Sequence, residues 1–192
     1  SSKNKSYCEL TTQYWAWKNM DADYYGFCHY RRFFSFSKEN IPETCWGTIE
    51  YDYLDDKAIK ELHFNEKDMK NYINNYDFLI AKGISINSLG ASSVYEHYKN
   101  ASELHIEDVD ILLEIIKEKY PYLSETAEEY FQGKVFFPCN MFIMKKEVFN
   151  TYSAILFDLL DEFEKRADMS EYSREGNRTT GHLGERITGI YY

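Results

Sequence analysis

The sequence predicts an α/β fold, because segments typical of strands alternate with segments typical of helices along its 192 residues. Apolar, aromatic runs at 23–32 and 134–144 are typical of buried strands, whereas apolar residues recur with a 3.6-residue period at 106–119. No internal repeat or low-complexity segment interrupts this order. A chain of this length can bury a substantial core. We therefore predict a single domain over residues 1–192.

The first half of the chain is predicted to open with a helix. Ser6 and Glu9 have the spacing of a capping box, in which each side chain satisfies a backbone N–H of the first turn. The helix should run through about Asn19 and be followed by the strand at 23–32. The further predictions are a long loop at 35–48, a short strand at 48–53, a helix at 66–76 and a strand at 77–81.

The second half is predicted to be mainly helical around one strand. Pro138 should break the apolar run at 134–144, since proline cannot donate to a strand ladder. The helices are predicted at 88–99, 106–119, 124–131, 146–167 and 182–192, with a polar loop at 174–181 before the last of them.

The charge balance excludes two classes of partner. The formal net charge is −10, which argues against a general nucleic-acid binder and against electrostatic docking on anionic lipid. Four cysteines without CxxC spacing predict free thiols in a reducing compartment. No segment is long and apolar enough to predict a membrane span. The chain starts with Ser1 rather than Met, which predicts a piece of a longer protein.

A cationic cluster follows the first predicted strand. His29, Arg31 and Arg32 end an aromatic run, and two guanidiniums beside an imidazole suit a phosphate or diphosphate. If the strand reaches residue 32, residues 29 and 31 share one face and residues 30 and 32 the other. One arginine would then serve structure. The alternative is that the arginines form ion pairs with carboxylates of this acidic chain.

Three ordered blocks of sequence resemble the DUF4422 family, and together they span nearly the whole chain. The first block includes Tyr7-Cys8-Glu9-Leu10-Thr11 and Tyr24-Tyr25-Gly26-Phe27-Cys28-His29-Tyr30-Arg31-Arg32. The second includes Asn140-Met141-Phe142-Ile143-Met144-Lys145 and the spaced residues Phe149, Tyr152, Leu156, Phe157 and Leu160. The third consists of Arg178, Gly181, Glu185 and Arg186.

The resemblance implies a GT-A-like fold, in which helices flank a mixed sheet, and a glycosyltransferase activity. The family normally begins with a further strand and loop before the first block, so the domain is expected to lack its first strand. Family members are similar to enzymes of capsule, exopolysaccharide and O-antigen clusters. The resemblance implies transfer of a hexose, such as galactose or galactofuranose, from a UDP-sugar to a polysaccharide or lipid-linked oligosaccharide. It implies a cytoplasmic location at the inner membrane face and allows peripheral membrane association, without nucleic acid as a partner.

The resemblance also assigns roles to individual residues. His29, Arg31, Arg32 and Arg178 would bind the donor diphosphate. Tyr30, Asn140 and His182 would contact substrate. Glu185 would act as the catalytic base that an inverting transfer requires. The alternative for Glu185 is a first-turn glutamate favoured by the helix dipole, and for Asn140 an amide bonded to a neighbouring loop.

A metal cofactor stays open at this stage. GT-A enzymes usually hold Mg²⁺ or Mn²⁺ with an Asp-x-Asp pair at a strand end, and the matching place here carries His29-Tyr30-Arg31. We therefore expect arginine to replace some or all of the metal's work. Asp21 and Asp23 have the Asp-x-Asp form but precede the strand, which predicts a helix-to-strand turn.

Two other function classes stay open on the sequence alone. One is a non-catalytic module that binds carbohydrate or nucleotide, which the expected absence of the first strand keeps open; the abundant, amphipathic Tyr side chains suit sugars and bases. The other is a scaffold in a polysaccharide assembly complex. The alternative explanation for most of the aromatic side chains is that they fill the core.

Overall fold

The computed structural model describes residues 4–44 and 47–192, and in them helices and strands are mixed along the chain, as expected of an α/β fold. The helices are α1 (Asn4–Tyr7), α2 (Leu10–Asn19), α3 (Asp56–Glu61), α4 (Glu66–Ile73), α5 (Val94–Lys99), α6 (Ile106–Lys119), α7 (Ser124–Gln132), α8 (Lys146–Arg166) and α9 (Thr179–Tyr191). The strands are β1 (Tyr24–Phe27), β2 (Phe78–Ile80), β3 (Ile84–Ser85), β4 (Val135–Phe136) and β5 (Phe142–Lys145).

Strand β5 is the centre of the main sheet, whose order is β1-β5-β2. It pairs antiparallel with both neighbours, so that Phe27 lies opposite Phe142 and Leu79 opposite Ile143. Strands β3 and β4 form a separate antiparallel pair. Every ladder in the described residues is antiparallel, and the sheet there is not the mixed one that was predicted. The register places the carboxyl end of β1 beside the amino end of β5.

The core lies between this sheet and the long helix α8. Phe142 and Met144 of β5 are fully buried, as the two-residue period of a strand requires when one face is covered. On the neighbouring strand, the ring of Tyr25 stacks on Phe149 of α8 with centroids 4.1 Å apart. The buried residues of α8 are apolar except Ser153, and they are Phe149, Tyr152, Ser153, Ile155, Leu156, Phe157, Leu159, Leu160 and Phe163.

Helix α9 packs closely on α2 at Gly184. A Cβ added there would lie 2.6 Å from Cδ1 of Leu10, which is fully buried. Such a separation forces Leu10 or the helix to move, and overpacking of this kind costs about 1–3 kcal/mol.

We therefore expect Gly184→Ala to lower the free energy of unfolding by about 1–3 kcal/mol in urea denaturation. Gly181→Ala on the same helix is the matched control, because a Cβ there would meet Cys8 Sγ at an ordinary 3.4 Å. The control should be neutral or stabilising, since alanine favours a helix over glycine. Equal stability changes in both variants would contradict the close contact at Gly184.

Several predicted boundaries are wrong. The strand predicted at 23–32 ends at Phe27, no strand forms at 48–53, and α3 was not predicted. Asp55 caps α3 by accepting a hydrogen bond from the backbone N–H of Ala58. The loop predicted at 35–48 includes Cys45 and Trp46, which lie outside the described residues.

The helix predicted from Ser6 is divided in two. Cys8 has a φ of 49°, in the left-handed region, and separates α1 from α2. Glu9 precedes α2 without a capping hydrogen bond from its side chain. Ser6 lies inside α1, so the predicted capping box does not stand at the start of a helix. The carboxylate of Glu9 accepts a hydrogen bond from Asn140. Among the described residues, no helix combines the length and the apolar composition needed to cross a membrane.

Candidate active site

A pocket of about 120 Å³ opens at the carboxyl end of β1, and we call it the Arg32 pocket. Four chain segments meet there, because the register of β1 on β5 places the turn before β5 next to the turn after β1. The residues that line it are Cys8, Glu9, His29, Arg32, Cys139, Arg178, Gly181, His182 and Glu185. Five of the predicted site residues are thus brought together, namely His29, Arg32, Arg178, His182 and Glu185.

The turn after β1 separates the two adjacent arginines. The backbone N–H of Arg32 donates to the carbonyl of His29 over 3.1 Å, which closes a tight turn. Arg32 lies in the pocket, with its guanidinium 3.4 Å from Nδ1 of His29. Burial and the charge of Arg32 lower the pKa of His29. An anion in this pocket would therefore meet the guanidinium of Arg32 next to an imidazole.

Arg31 and Tyr30 lie outside the pocket lining. The guanidinium of Arg31 lies over the ring of Tyr30, 4.6 Å from its centroid, and Tyr30 is 72% exposed. The predicted alternation, which paired residue 31 with residue 29, fails because the strand ends before these residues. The alternative of ion pairing is also not met: within residues 4–44 and 47–192, neither Arg31 nor Arg32 forms a salt bridge with a carboxylate.

Arg178 approaches the pocket from the short 3₁₀ turn that precedes α9. Its NH1 donates to Oε2 of Glu175 over 2.8 Å, and its Nε donates to Sγ of Cys8 over 3.2 Å. These contacts fix the guanidinium and raise its pKa, first through Cys8 and then through Glu175. The first turn of α9 follows directly and supplies Gly181 to the pocket. A helix N-terminus favours anions, so the helix dipole and Arg178 act in the same direction.

His182 is neutral at physiological pH. Burial, followed by the charges of Arg186 and Arg178, lowers its pKa to about 4, although Glu9 and Glu175 act in the opposite direction. A neutral imidazole can donate one hydrogen bond and accept another, and it adds no charge to the pocket.

The lowered pKa of His182 predicts a pH-dependent stability. Between its ordinary pKa of 6.5 and the folded value of about 4, the unfolded chain binds a proton that the folded chain does not. The free energy of unfolding should therefore fall by about 3 kcal/mol as the pH falls through this range. His182→Gln should remove this component in urea denaturation at pH 7 and pH 4.5. The same pH dependence in both proteins would contradict the burial of a neutral imidazole.

Glu185 is a fixed, largely enclosed carboxylate on α9. Its Oε1 accepts from the backbone N–H of Cys139 over 2.9 Å, and its Oε2 accepts from NH1 of Arg186 over 2.8 Å. The side chain is 18% exposed, whereas that of Arg186 is 3% exposed and lies over the ring of Phe136. Burial raises the pKa of Glu185 despite the charge of Arg186. The alternative, in which Glu185 is a first-turn glutamate favoured by the helix dipole, does not hold, because α9 begins at Thr179. Glu185 instead connects α9 to the turn before β5.

Asn140 lies beneath the pocket rather than in its lining. It is 4% exposed, and its Nδ2 donates to Oε1 of Glu9 over 2.7 Å and to the carbonyl of Gly181 over 3.3 Å. Its Oδ1 accepts from the hydroxyl of Thr188 over 3.4 Å. Neighbouring segments of the chain therefore satisfy the hydrogen bonds of this amide, in agreement with the alternative that Asn140 bonds to the protein itself. Its role in the geometry is to hold Glu9 and α9 together.

The sequence interpretation missed three side chains of the pocket, those of Cys8, Glu9 and Cys139. Glu9 was assigned to a capping box, yet its exposed carboxylate borders the pocket. Cys8 and Cys139 both have left-handed backbones, with φ of 49° and 79°. Cys8, Cys28 and Cys139 are free thiols, as predicted. Only the family block around Tyr7-Cys8-Glu9 could have pointed to this side of the pocket.

The donor atoms of the pocket do not fit a divalent cation. The described parts of the chain contain no group of three or more His, Cys, Asp or Glu side chains that could hold a metal ion. The carboxylates of Glu9 and Glu185 are already bonded to Asn140 and Arg186. The Asp-x-Asp sequence lies at the opposite end of β1, where Asp21 pairs with Lys146, in agreement with the predicted turn.

Comparisons with known proteins identify the family and support the fold. No curated protein matches the chain. A solved structure described as the apo form of the bifunctional glycosyltransferase WbbM matches 100% of this chain with a TM-score of 0.95 and 36% sequence identity. The match covers 34% of that longer chain, so this chain spans about a third of its length. The fold is therefore an α/β glycosyltransferase-like fold. The family model of DUF4422, a domain of unknown function, matches residues 1–192, and the chain belongs to this family.

Proposed function

We propose that this chain is a glycosyltransferase domain that transfers a hexose from a UDP-sugar to a polysaccharide or lipid-linked oligosaccharide. The observation that carries the proposal is the Arg32 pocket, where two guanidiniums and two carboxylates meet at the end of a strand. The likeness of the whole chain to a structure described as a bifunctional glycosyltransferase, at 36% identity, supports the reaction class. The GT-A arrangement belongs to the proposal, as does galactose or galactofuranose as the hexose.

In this proposal the cations hold the diphosphate of the donor. Negative charge develops on the leaving UDP during transfer, and fixed donors at that position stabilise the transition state. Arg32 has no carboxylate partner among the described residues, so its charge is available to a ligand. Arg178 forms an ion pair with Glu175, and it directly precedes the N-terminus of α9, whose dipole also favours an anion. His29 and His182 complete this side of the pocket.

Glu185 is the proposed base of an inverting transfer. The hydroxyl oxygen of the acceptor attacks the anomeric carbon, the bond from that carbon to the diphosphate oxygen breaks, and UDP leaves with the electron pair. The hydroxyl proton passes to Glu185. A carboxylate with a raised pKa suits this step, because a base works best when its pKa lies near the working pH. Glu9, held by Asn140 at the open side of the pocket, would orient the acceptor hydroxyl.

The setting of the enzyme follows from the same proposal. A lipid-linked acceptor is reached at the cytoplasmic face of the cell membrane, and we propose peripheral association of this domain with that face. The resemblance to capsule, exopolysaccharide and O-antigen enzymes supports this placement. Nucleic acid is not proposed as a partner, because the net charge is −10.

The test is a UDP-hexose panel assayed for sugar release and transfer, with Mn²⁺ and with EDTA. We expect turnover of one UDP-hexose above background and a thermal shift with UDP. A thermal shift without turnover of any donor would favour the non-catalytic nucleotide-binding module instead. Absence of both turnover and a UDP shift would contradict the proposal.

A further inference from the structure

A second and larger pocket, of about 290 Å³, lies between residues 36–39 and helix α4, and we call it the Tyr72 pocket. Its volume is near the lower end of the range for small-molecule sites, about 300–1,000 Å³. None of its lining residues belongs to the Arg32 pocket. The proposed transfer reaction gives it no role, which raises the question of what it binds.

One wall of the Tyr72 pocket is aromatic. Phe36 is buried, and its ring meets that of Tyr72 edge-on with centroids 5.8 Å apart. The ring of Tyr72 also contacts the exposed ring of Tyr76, with centroids 5.5 Å apart, and the ring of Phe64 contacts that of Phe36, with centroids 6.2 Å apart. The backbone N–H of Phe36 donates to the carbonyl of Leu62 over 2.9 Å, which fixes this wall to the end of α3. Because the rings of Phe36 and Tyr72 are edge-on and Phe36 is buried, the half-buried ring of Tyr72 is the flat apolar surface that a ligand can contact.

The polar residues of the lining include Asp68 and Asn71, which lie on α4 with Tyr72. Asp68 accepts hydrogen bonds from His63 over 2.9 Å and from Nδ2 of Asn65 over 2.8 Å, both at Oδ2. Asn71 lies three residues further on α4 and therefore on the same face of the helix. A carboxylate accepts hydrogen bonds, and a carboxamide both donates and accepts them. Adjacent hydroxyl groups of a sugar need this combination.

The charge of the Tyr72 pocket separates it from the phosphate chemistry of the Arg32 pocket. Asp68 and Glu39 are acidic, and Lys38 is the basic residue of the lining. The hydrogen bonds from Asn65 and His63 lower the pKa of Asp68 and keep it ionised. A diphosphate would therefore be repelled, whereas a neutral polyhydroxylated ring would not.

The two pockets are close in the chain. Phe36 follows Arg32 by four residues, so the Cα atoms of these two lining residues, one from each pocket, lie at most about 14 Å apart. A short glycan can bridge such a distance. One end of an acceptor could then sit in the Tyr72 pocket while its reacting hydroxyl reaches the Arg32 pocket.

We propose that the Tyr72 pocket binds a neutral sugar unit of the acceptor glycan, with its ring against Tyr72 and its hydroxyls on Asp68 and Asn71. Naming the ligand as part of the acceptor rests on the proposed function. The saccharide site itself rests on the lining of the pocket. It gives the enzyme a means to select the acceptor by a sugar that does not react.

Saturation-transfer NMR with a panel of neutral methyl hexosides and disaccharides tests this proposal. We expect at least one saccharide to bind the wild-type protein. Asn71→Ala and Asp68→Asn should each weaken that binding by about tenfold, as loss of one or two hydrogen bonds predicts. Lys67→Ala is the matched control, since Lys67 is exposed on the same helix and does not line the pocket; it should bind as the wild type does.

Each outcome of the binding experiment either supports or overturns the saccharide site. Failure of every saccharide to bind, or equal binding by Asn71→Ala, Asp68→Asn and the control, overturns the saccharide site. Thermal unfolding of each variant separates lost binding from lost folding. Turnover of UDP-hexoses by the wild-type protein is measured in a separate arm. A saccharide that binds at this pocket while no donor is turned over supports the site and contradicts the transferase proposal.

Discussion

Replacing Arg32 with alanine is expected to reduce turnover of the UDP-sugar by about a hundredfold to a thousandfold, the usual cost of removing one preorganised donor from a developing anion. Arg32 lies in the pocket and forms no ion pair in the described residues, so its full charge is available to the leaving diphosphate. Steady-state release of UDP by the wild type and the variant measures the effect.

Arg31→Ala is the matched control for this prediction. Its guanidinium lies over the exposed ring of Tyr30, outside the pocket. Exposed substitutions of this kind usually change energies by less than about 0.5 kcal/mol, which corresponds to about a twofold change in rate. Equal losses in both variants would show that the turn does not separate the two arginines. Loss in Arg31→Ala alone would reverse the assignment.

Replacing Glu185 with glutamine is expected to reduce transfer by about a hundredfold to ten-thousandfold, the range that general base catalysis contributes. Only the ionised carboxylate can accept the hydroxyl proton. Because burial raises its pKa, kcat/KM of the wild type should fall with decreasing pH at values above the usual range of a glutamate. This acidic limb should disappear in Glu185→Gln.

Two controls make the assignment of the base specific. Glu9→Gln removes the other carboxylate of the pocket, and a larger loss there would move the base to Glu9. Glu185→Gln also leaves the buried Arg186 without its carboxylate, which destabilises a protein. Thermal unfolding must therefore accompany the kinetics. A stable Glu185→Gln protein with the wild-type rate would remove Glu185 from the mechanism.

The sequence predicts the apolar elements of this fold well, because their periodicity follows directly from burial. Helix α6 begins and ends at the predicted residues, and α8 differs by one residue at its carboxyl end. The central strand is recognisable from Phe142 and Met144, although Pro138 leaves only a short β4 before it. Antiparallel pairing could not be predicted, since it depends on contacts between distant segments.

The site is predicted less well, and the reasons are local. His29 and Arg32 are recognisable as a cationic cluster, but the tight turn that turns Arg31 away depends on one backbone hydrogen bond. Glu9 has the spacing of a capping residue, and only the fold shows that Asn140, 131 residues away, takes its carboxylate instead. The left-handed backbones of Cys8 and Cys139 leave no pattern in the sequence.

The central claim is that the Arg32 pocket binds the diphosphate of the donor. Isothermal titration of UDP into the wild type, Arg31→Ala and Arg32→Ala in EDTA tests it most directly. The account predicts similar affinity for the wild type and Arg31→Ala, and affinity at least about tenfold weaker for Arg32→Ala, since a hydrogen bond to a charged group contributes about 1.5–3 kcal/mol. Equal affinity of UDP for all three proteins would contradict it.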